Sequence, residues 1–306
     1  MASLKERLTG RVDLIRSRRP FVDHVFKMIA HYGHVDGNAQ AGAATYFGFL
    51  SFFPILALAF FVIGYIAKVY PDAQSQLADA LGQVLPGVVG NGAGEIPMST
   101  FEDNAGAIGV VGLVGVLYSG LGWLSGMRAA LEIMFALPRR DQPNFIVGKG
   151  RDVAALALIG ATLIVSVALS GLVAGLSTQI LDWVGLDPDS LVPNASVHLL
   201  GYALAVIATT FLLMAMFQLL VRPHKPRRAL IEGAVLGAVG FEVLKVLANF
   251  LIGQTQGKPA FQAFGVALIL VVWINYFSRL VMYGAAWAHT SPDAGALALK
   301  RHRSHR

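Results

Sequence analysis

The residues best able to do chemistry in this sequence are charged and amide side chains set within long apolar runs. Glu242, Lys245 and Asn249 are three and four positions apart, so they fall within an arc of about 60° on an α-helix. A charge at membrane depth costs about 2.5–3.5 kcal/mol on insertion scales and normally faces a protein interior or a watery cavity. The spacing therefore predicts one polar face on an otherwise apolar helix.

A second polar stripe is predicted on the next apolar run. Asn275, Arg279 and Tyr283 are spaced four apart and would share one side of a helix. Polar residues elsewhere could join the two stripes from the cytoplasmic half of the bundle: Gln40, Ser51, Arg128 and Glu232. Together they form the predicted site for substrate binding or proton relay.

Two interpretations of these charges stay open from the sequence alone. In the first, the network is static: Glu242 and Lys245 form an i,i+3 ion pair, and Arg279 extends toward the headgroups. In the second, the residues line a polar cavity that binds an anionic headgroup or relays protons. Lys245 and Arg279 would then hold the anion, while Glu242 titrates or competes for Lys245.

The composition indicates that the surrounding helices lie in a membrane. Of 306 residues, 55% are hydrophobic and only 14% are charged, against roughly 25% charged in soluble domains. The mean hydropathy is +0.61. These values exclude a soluble enzyme and a disordered chain, and the lack of cysteine excludes disulfides and zinc-thiolate sites.

Six uncharged or nearly uncharged runs are long enough to cross a bilayer, which takes about 20 helical residues. They are Phe47–Ala67, Ala105–Leu124, Val153–Ile180, Val197–Val221, Ala229–Ile252 and Phe261–Ala288. The fifth and sixth carry the polar stripes. The sequence therefore predicts an all-α polytopic membrane bundle of six transmembrane helices.

The basic residues predict the orientation of this bundle. Twenty of the 24 Lys and Arg lie in the N-terminal tail, the loop after the second span, residues 222–228 and the C-terminal tail. Lys and Arg concentrate on the cytoplasmic side, so both termini are expected there. This distribution accounts for the net charge of +6 through topology and contact with anionic lipid, without nucleic acid.

Three regions are predicted along the chain. Residues 1–38 form a basic cytoplasmic segment that contains an interfacial helix beginning at Pro20. One face of this helix is apolar, and Asp23, His24 and Lys27 lie on a separate polar face. Residues 39–290 form the transmembrane domain, with a helix kink at Pro54 and a short external helix in the first loop. Residues 291–306 form a basic tail.

No motif for catalysis or cofactor binding occurs. Walker A, H-E-x-x-H, G-x-S-x-G and EF-hand patterns are all missing. We therefore expect no enzyme activity, no cofactor and no metal. Any transport would be facilitated, ion-coupled or dependent on a partner.

Three segments resemble the YihY/BrkB family and, within it, the YhjD branch. Ala41–Leu56 (AGAATYFGFLSFFPIL) is similar to the first-span signature, Gly126–Pro138 to the segment after the second span, and Phe264–Trp287 to the last span. The resemblance implies six spans with both ends inside, a place in the bacterial envelope, and for this branch lipopolysaccharide or related lipid export. One residue departs from the pattern, because Ala286 stands where the family often has an acidic residue.

The sequence thus predicts an inner-membrane transporter or flippase-like protein for a lipid or other amphiphilic envelope component. The alternative is a non-transporting scaffold for envelope assembly or integrity. Membrane lipids are the expected partners, including an anionic lipid substrate, whereas nucleic acid is not. A homo-oligomer or envelope-assembly partners stay open. A membrane nuclease, the family's former label, lacks the clustered acidic ligands that such chemistry needs.

Overall fold

A computed structural model of the chain describes residues 16–66, 105–161, 191–255 and 259–292. Every element in these ranges is helical, which confirms the all-α prediction for this part of the chain. In chain order the helices are α1 (Pro20–His34), α2 (Gly37–Ile66), α3 (Ala105–Met134), α4 (145–161), α5 (Leu191–Met216), α6 (Arg227–Thr255) and α7 (Pro259–Thr290). A 3-10 turn (Arg139–Asp141) precedes α4, and a π-helical turn (Phe217–Val221) extends α5.

Within the part of the chain that the structure describes, two stretches are long and apolar enough to cross a membrane, namely Tyr202–Val221 and Ala267–Thr290. Only 28% and 33% of these stretches is buried, whereas a core helix of a soluble protein would be mostly enclosed. The other four predicted spans coincide with α2, α3, α4 and α6 as far as those helices are described. The number of crossings and the orientation stay predictions.

The outer faces of α5, α6 and α7 carry large apolar side chains. Ile207 is 64% exposed and Phe211 60%, and Val243, Leu247 and Leu268 are also more than half exposed. Soluble monomers seldom expose apolar patches of such extent. These faces therefore suit contact with lipid chains.

The best-packed core lies at one end of the bundle, where α3, α5, α6 and α7 meet. Its largest fully buried side chains include Leu124, Met127, Leu131, Phe217 and Met282. Phe217 meets the ring of Phe135 edge to face at 5.4 Å. This end holds the residues that precede and follow the predicted cytoplasmic loops.

Helix α3 runs ten residues past the predicted end of its span at Leu124 and stops at a turn without glycine. Ala136 has a φ of 50°, and the Leu137 amide donates to the carbonyl of Glu132, which closes the helix end in the manner of a Schellman turn. Pro138 follows and cannot continue the helix.

Helix α1 forms as predicted, with Pro20 in its first turn, but one of its faces was misassigned. His24 was placed on the polar face with Asp23 and Lys27, yet it is buried. Its Nε2 donates to the carbonyl oxygen of Trp287 at 3.0 Å. That prediction is wrong because α7 offers the imidazole a buried acceptor, whereas Asp23 pairs with Lys27 at 2.7 Å on an outer face.

Several predictions fall beyond the described part of the chain. They are the external helix in the first loop, the later part of the third span and the C-terminal tail. Pro54 lies inside α2 as expected, with Gly115 of α3 beside it. The predicted kink at Pro54 stays a prediction.

Candidate functional site

The pair formed by Glu242 and Lys245 is the most buried charged feature of α6. Lys245 Nζ lies 2.7 Å from Glu242 Oε2, and the two side chains are 15% and 9% exposed. The ammonium also lies 5.5 Å from the centre of the Phe241 ring, within range of a cation–π contact. The i,i+3 ion pair expected under the static interpretation is therefore present.

Even with the ion pair, the Glu242 carboxylate accepts fewer hydrogen bonds than it could. Both of its oxygens are buried, and neither accepts an aligned hydrogen bond from any described residue, despite the short approach of Lys245. An ionised carboxylate can accept about four. A buried charge in this condition is costly, so the site favours a proton, water or the donors of a ligand.

Aromatic side chains of α7 pack against Phe241, the residue before Glu242. Phe241 meets Trp273 at 5.9 Å and Phe277 at 5.3 Å, both edge to face. One turn away, Leu280 packs against Gly240. The α6-facing side of α7 at this level is therefore apolar.

The polar stripe of α7 faces other partners. Asn275 Nδ2 donates to Thr45 Oγ1 of α2 at 3.2 Å, and the Tyr283 ring stacks on Tyr32 of α1 at 4.1 Å. Arg279 lies 5.6 Å from the ring centre of Tyr276, and its buried Nε has no acceptor among the described residues.

The two stripes are not joined by direct contact. Within the described ranges, no hydrogen bond or ion pair links Glu242 or Lys245 to Arg279 or Asn275. The shared polar pocket stays a prediction.

The remaining predicted site residues lie apart from the ion pair. Ser51 donates to the carbonyls of Phe47 and Ser119, so it fastens α2 to α3. Gln40 is half-buried near the start of α2. The side chain of Asn249 lies outside those that the structure describes.

Glu232 belongs to a surface pair. Its carboxylate lies 3.1 Å from Arg228 Nε, and the two side chains are 39% and 79% exposed. Ten residues separate it from Glu242, about 15 Å along the helix axis. We therefore separate Glu232 from the ion-pair site.

Arg128 forms a second buried charged cluster, with a partner that the sequence analysis missed. Its Nε lies 3.0 Å from Oδ1 of Asp152, which is fully buried, and its Nη1 lies 3.3 Å from Glu132. Ser125 donates to Asp152 at 2.6 Å and receives a hydrogen bond from Lys149 at 2.8 Å. The sequence feature that could have indicated this partner is Asp152 itself, a lone carboxylate directly before the third apolar run.

Two histidines link helix ends that lie on the predicted cytoplasmic side of the bundle. His31 Nε2 donates to the Met134 carbonyl at 2.8 Å, and His289 Nδ1 donates to the Phe135 carbonyl at 2.9 Å. The two imidazoles stack at 4.3 Å. They satisfy carbonyls that the end of α3 leaves open and bring α1, α3 and α7 together.

Lys225 completes this junction from the segment between α5 and α6. Its Nζ lies 3.5 Å from the His289 carbonyl, and burial lowers the pKa of its ammonium. Four segments that the sequence assigns to the cytoplasm thus meet at one end of the bundle. No group of three or more metal-ligating side chains occurs in the described ranges.

Comparison with known proteins agrees with the motifs. The family model described as virulence factor BrkB matches residues 28–305. The chain belongs to the BrkB family.

Two relatives extend over most of this BrkB-family chain. The inner membrane protein YhjD of Escherichia coli (strain K12) is 29% identical over 279 residues, covering 90% of this chain and 82% of YhjD. An uncharacterised protein of Dickeya dadantii (strain 3937) is 26% identical over 291 residues, covering 93% and 87%. No solved structure matches. The predicted family is confirmed, and neither relative's name indicates an enzymatic activity.

The departure from the BrkB pattern at Ala286 lies in the packed core. Ala286 is fully buried, and its carbonyl accepts a hydrogen bond from Thr290 at 2.9 Å. A carboxylate is thus absent from this point of α7.

The Asn275–Thr45 contact gives a small, measurable prediction for this BrkB-family fold. We expect a double-mutant cycle with Asn275→Leu and Thr45→Val to give a coupling of about 0.6 kcal/mol, the average for interhelical hydrogen bonds in membranes. Thermal unfolding in detergent measures it. A cycle with Asn275→Leu and Ser119→Ala serves as the control, and equal coupling in both cycles would contradict the contact.

Proposed function

We propose that this protein is an inner-membrane transporter or flippase-like protein that moves an anionic lipid or other amphiphilic envelope component. Family membership and the similarity to an inner membrane protein support the location. The two apolar stretches of α5 and α7 and the apolar outer faces support a chain embedded in lipid. We further propose six spans with both termini in the cytoplasm.

The observation that carries the proposal is the Glu242 carboxylate, buried in an apolar helix and short of hydrogen bonds. A purely structural position would be served as well by an apolar residue, since replacing a buried ion pair by apolar side chains is often neutral or stabilising. Ionisable groups at such depth usually serve substrates or protons.

The charges suggest how a headgroup could be exchanged. Lys245 is held by Glu242, so an arriving phosphate competes with the carboxylate for the same ammonium. If Glu242 takes up a proton as the anion binds, the site gains no net charge. Arg279, with its unpaired Nε on the other side of α7, would offer the next cation along the path.

Reconstitution tests the proposal directly. The full chain is placed in vesicles of phosphatidylethanolamine and phosphatidylglycerol that carry a trace of fluorescent phosphatidylglycerol or of a fluorescent lipopolysaccharide lipid anchor. Dithionite bleaches only the outer leaflet, so about half of the label is protected in protein-free vesicles. We expect protection to fall toward zero with the protein for at least one label. Protection that stays near half for both labels, with and without an imposed proton gradient, would contradict transport.

A non-transporting scaffold is the second candidate, and the closed Glu242–Lys245 pair favours it. In that case the pair only stabilises the bundle. The same vesicles would then show no lipid movement, while removal of one partner alone would lower the unfolding temperature.

A further inference from the structure

A second set of cations gathers where α3, α4 and the π-helical turn after α5 meet, in the segments assigned to the cytoplasmic side. Its cations are Arg128, Lys149, Arg151 and Arg222, and its carboxylates are Glu132 and Asp152. Four positive charges thus face two negative ones. Burial raises the pKa of the Glu132 carboxyl by more than the ion pair with Arg128 lowers it.

The two carboxylates already accept hydrogen bonds from other members of the group. Asp152 accepts two hydrogen bonds from Arg128 and one from Ser125, and Glu132 accepts one from Arg128. Lys149 donates to Ser125. Of the two guanidiniums that remain in the group, only one has buried nitrogens, and within the described ranges Glu132 acts on it through charge alone, without a hydrogen bond.

That guanidinium belongs to Arg151. Its Nε and Nη1 are buried, and neither meets an acceptor among the described residues. Burial and the nearby charges of Arg222 and Arg128 lower the pKa of Arg151. Buried donors of a charged group are normally paired, because each unpaired donor carries its full desolvation cost. The position lacks an anion.

Arg222 is held beside this position by an unusual backbone. Its φ of 52° and ψ of 56° are left-handed, and its amide donates to the Phe217 carbonyl to close the π-helical turn. Such a conformation is uncommon for a residue with a Cβ and persists where surrounding structure enforces it, often at functional sites.

The helix that carries Arg151 also presents apolar side chains outward. Phe145 and Ile146 are each 79% exposed, and Val153 is 47% exposed. These side chains lie on the face of α4 away from Arg151 and suit contact with lipid chains, so phospholipid is the nearest source of phosphate groups for this helix. A planar guanidinium with adjacent donors fits two phosphate oxygens at once.

We propose that Arg151, assisted by Arg222, binds the phosphate group of an anionic phospholipid at this end of the bundle. The site is separate from Glu242 and Lys245. It does not depend on transport, because a lipid that stays bound would occupy it equally well. Free inorganic phosphate offers the same chemistry without the apolar body.

Thermal unfolding of the full chain in detergent tests the site. The additions are dioleoyl phosphatidylglycerol, dioleoyl phosphatidylcholine and sodium phosphate at matched ionic strength. We expect phosphatidylglycerol to raise the unfolding temperature of the wild type and phosphatidylcholine to have no effect. Arg151→Gln should require at least about tenfold more phosphatidylglycerol for the same rise, because one charge-assisted bidentate contact is lost.

The matched control is Arg140→Gln, which removes the same charge from the turn just before α4 at a side chain that is 86% exposed. It should respond to lipid as the wild type does. Without lipid, Arg151→Gln should unfold at the wild-type temperature or above, since it removes an unpaired buried charge. Should Arg151→Gln fail to fold, Arg222→Gln must also weaken the response to phosphatidylglycerol.

The outcomes separate the possible ligands. A rise that depends on Arg151 with sodium phosphate alone would support a phosphate site and reject the lipid as its required source. Equal losses in Arg151→Gln and Arg140→Gln would show diffuse attraction and overturn the proposal. A wild type that does not respond to phosphatidylglycerol or phosphate would overturn it as well.

Discussion

Glu242→Gln is expected to lower the initial rate of lipid movement in vesicles by about tenfold or more, equivalent to about 1.4 kcal/mol. Glutamine has nearly the same shape but cannot carry the charge or the proton. Lys245 would then remain buried without its counter-ion, so a bound anionic headgroup would be released slowly. The dithionite assay with fluorescent phosphatidylglycerol or the lipopolysaccharide lipid anchor measures the rate.

Glu232→Gln is the matched control, because it makes the same change on the same helix in an exposed pair with Arg228. It should leave the rate unchanged. The double variant Glu242→Gln/Lys245→Met separates transport from stability. It removes both charges, so it should unfold near the wild-type temperature but still move lipid slowly. Wild-type rates in the single and double variants would reject the ion pair as a transport site.

The helices could be predicted because a long apolar run has few stable structures other than a membrane-spanning helix. Their ends were harder to predict. The second span was predicted to end at Leu124, but α3 continues through Arg128 and Glu132 to Met134, because the backbone hydrogen bonds of a helix do not stop at the edge of the hydrocarbon. The turn at Ala136 uses a left-handed residue that is not glycine, so the usual stop signal was missing.

In the candidate site, helical spacing gives information on contacts within one helix but not on contacts between helices. Helical spacing offered the Glu242–Lys245 pair as one of two interpretations, and the pair is present because both residues lie on one helix. It could not supply the rotation of one helix against another, so the partners of Asn275 and Tyr283 on α2 and α1 were not foreseen. The contact between Arg128 and Asp152 spans a loop, and spacing carries no information on such pairs.

Gly233→Ala is expected to destabilise the bundle by about 3 kcal/mol and to lower its unfolding temperature by about 5–10 °C. A Cβ at Gly233 would lie 2.2 Å from the backbone oxygen of Gly284 and 3.0 Å from the Cβ of Ala288. The first obstacle is backbone, so no change of rotamer relieves it. Helices α6 and α7 would have to move apart, with loss of the close packing that holds membrane helices together. Thermal unfolding of the purified chain in detergent measures the loss.

Gly42→Ala provides the control for that experiment. A Cβ at Gly42 of α2 would meet nothing within 4 Å, and alanine is favoured over glycine within a helix by about 1 kcal/mol. The control should therefore unfold at the wild-type temperature or slightly above. Because both variants make the same chemical change within a helix, the difference between them isolates the crossing of α6 over α7. Equal unfolding temperatures would mean that this crossing is looser than the Gly233–Gly284 contact requires, and the position of Glu242 relative to α7 would then lose its support.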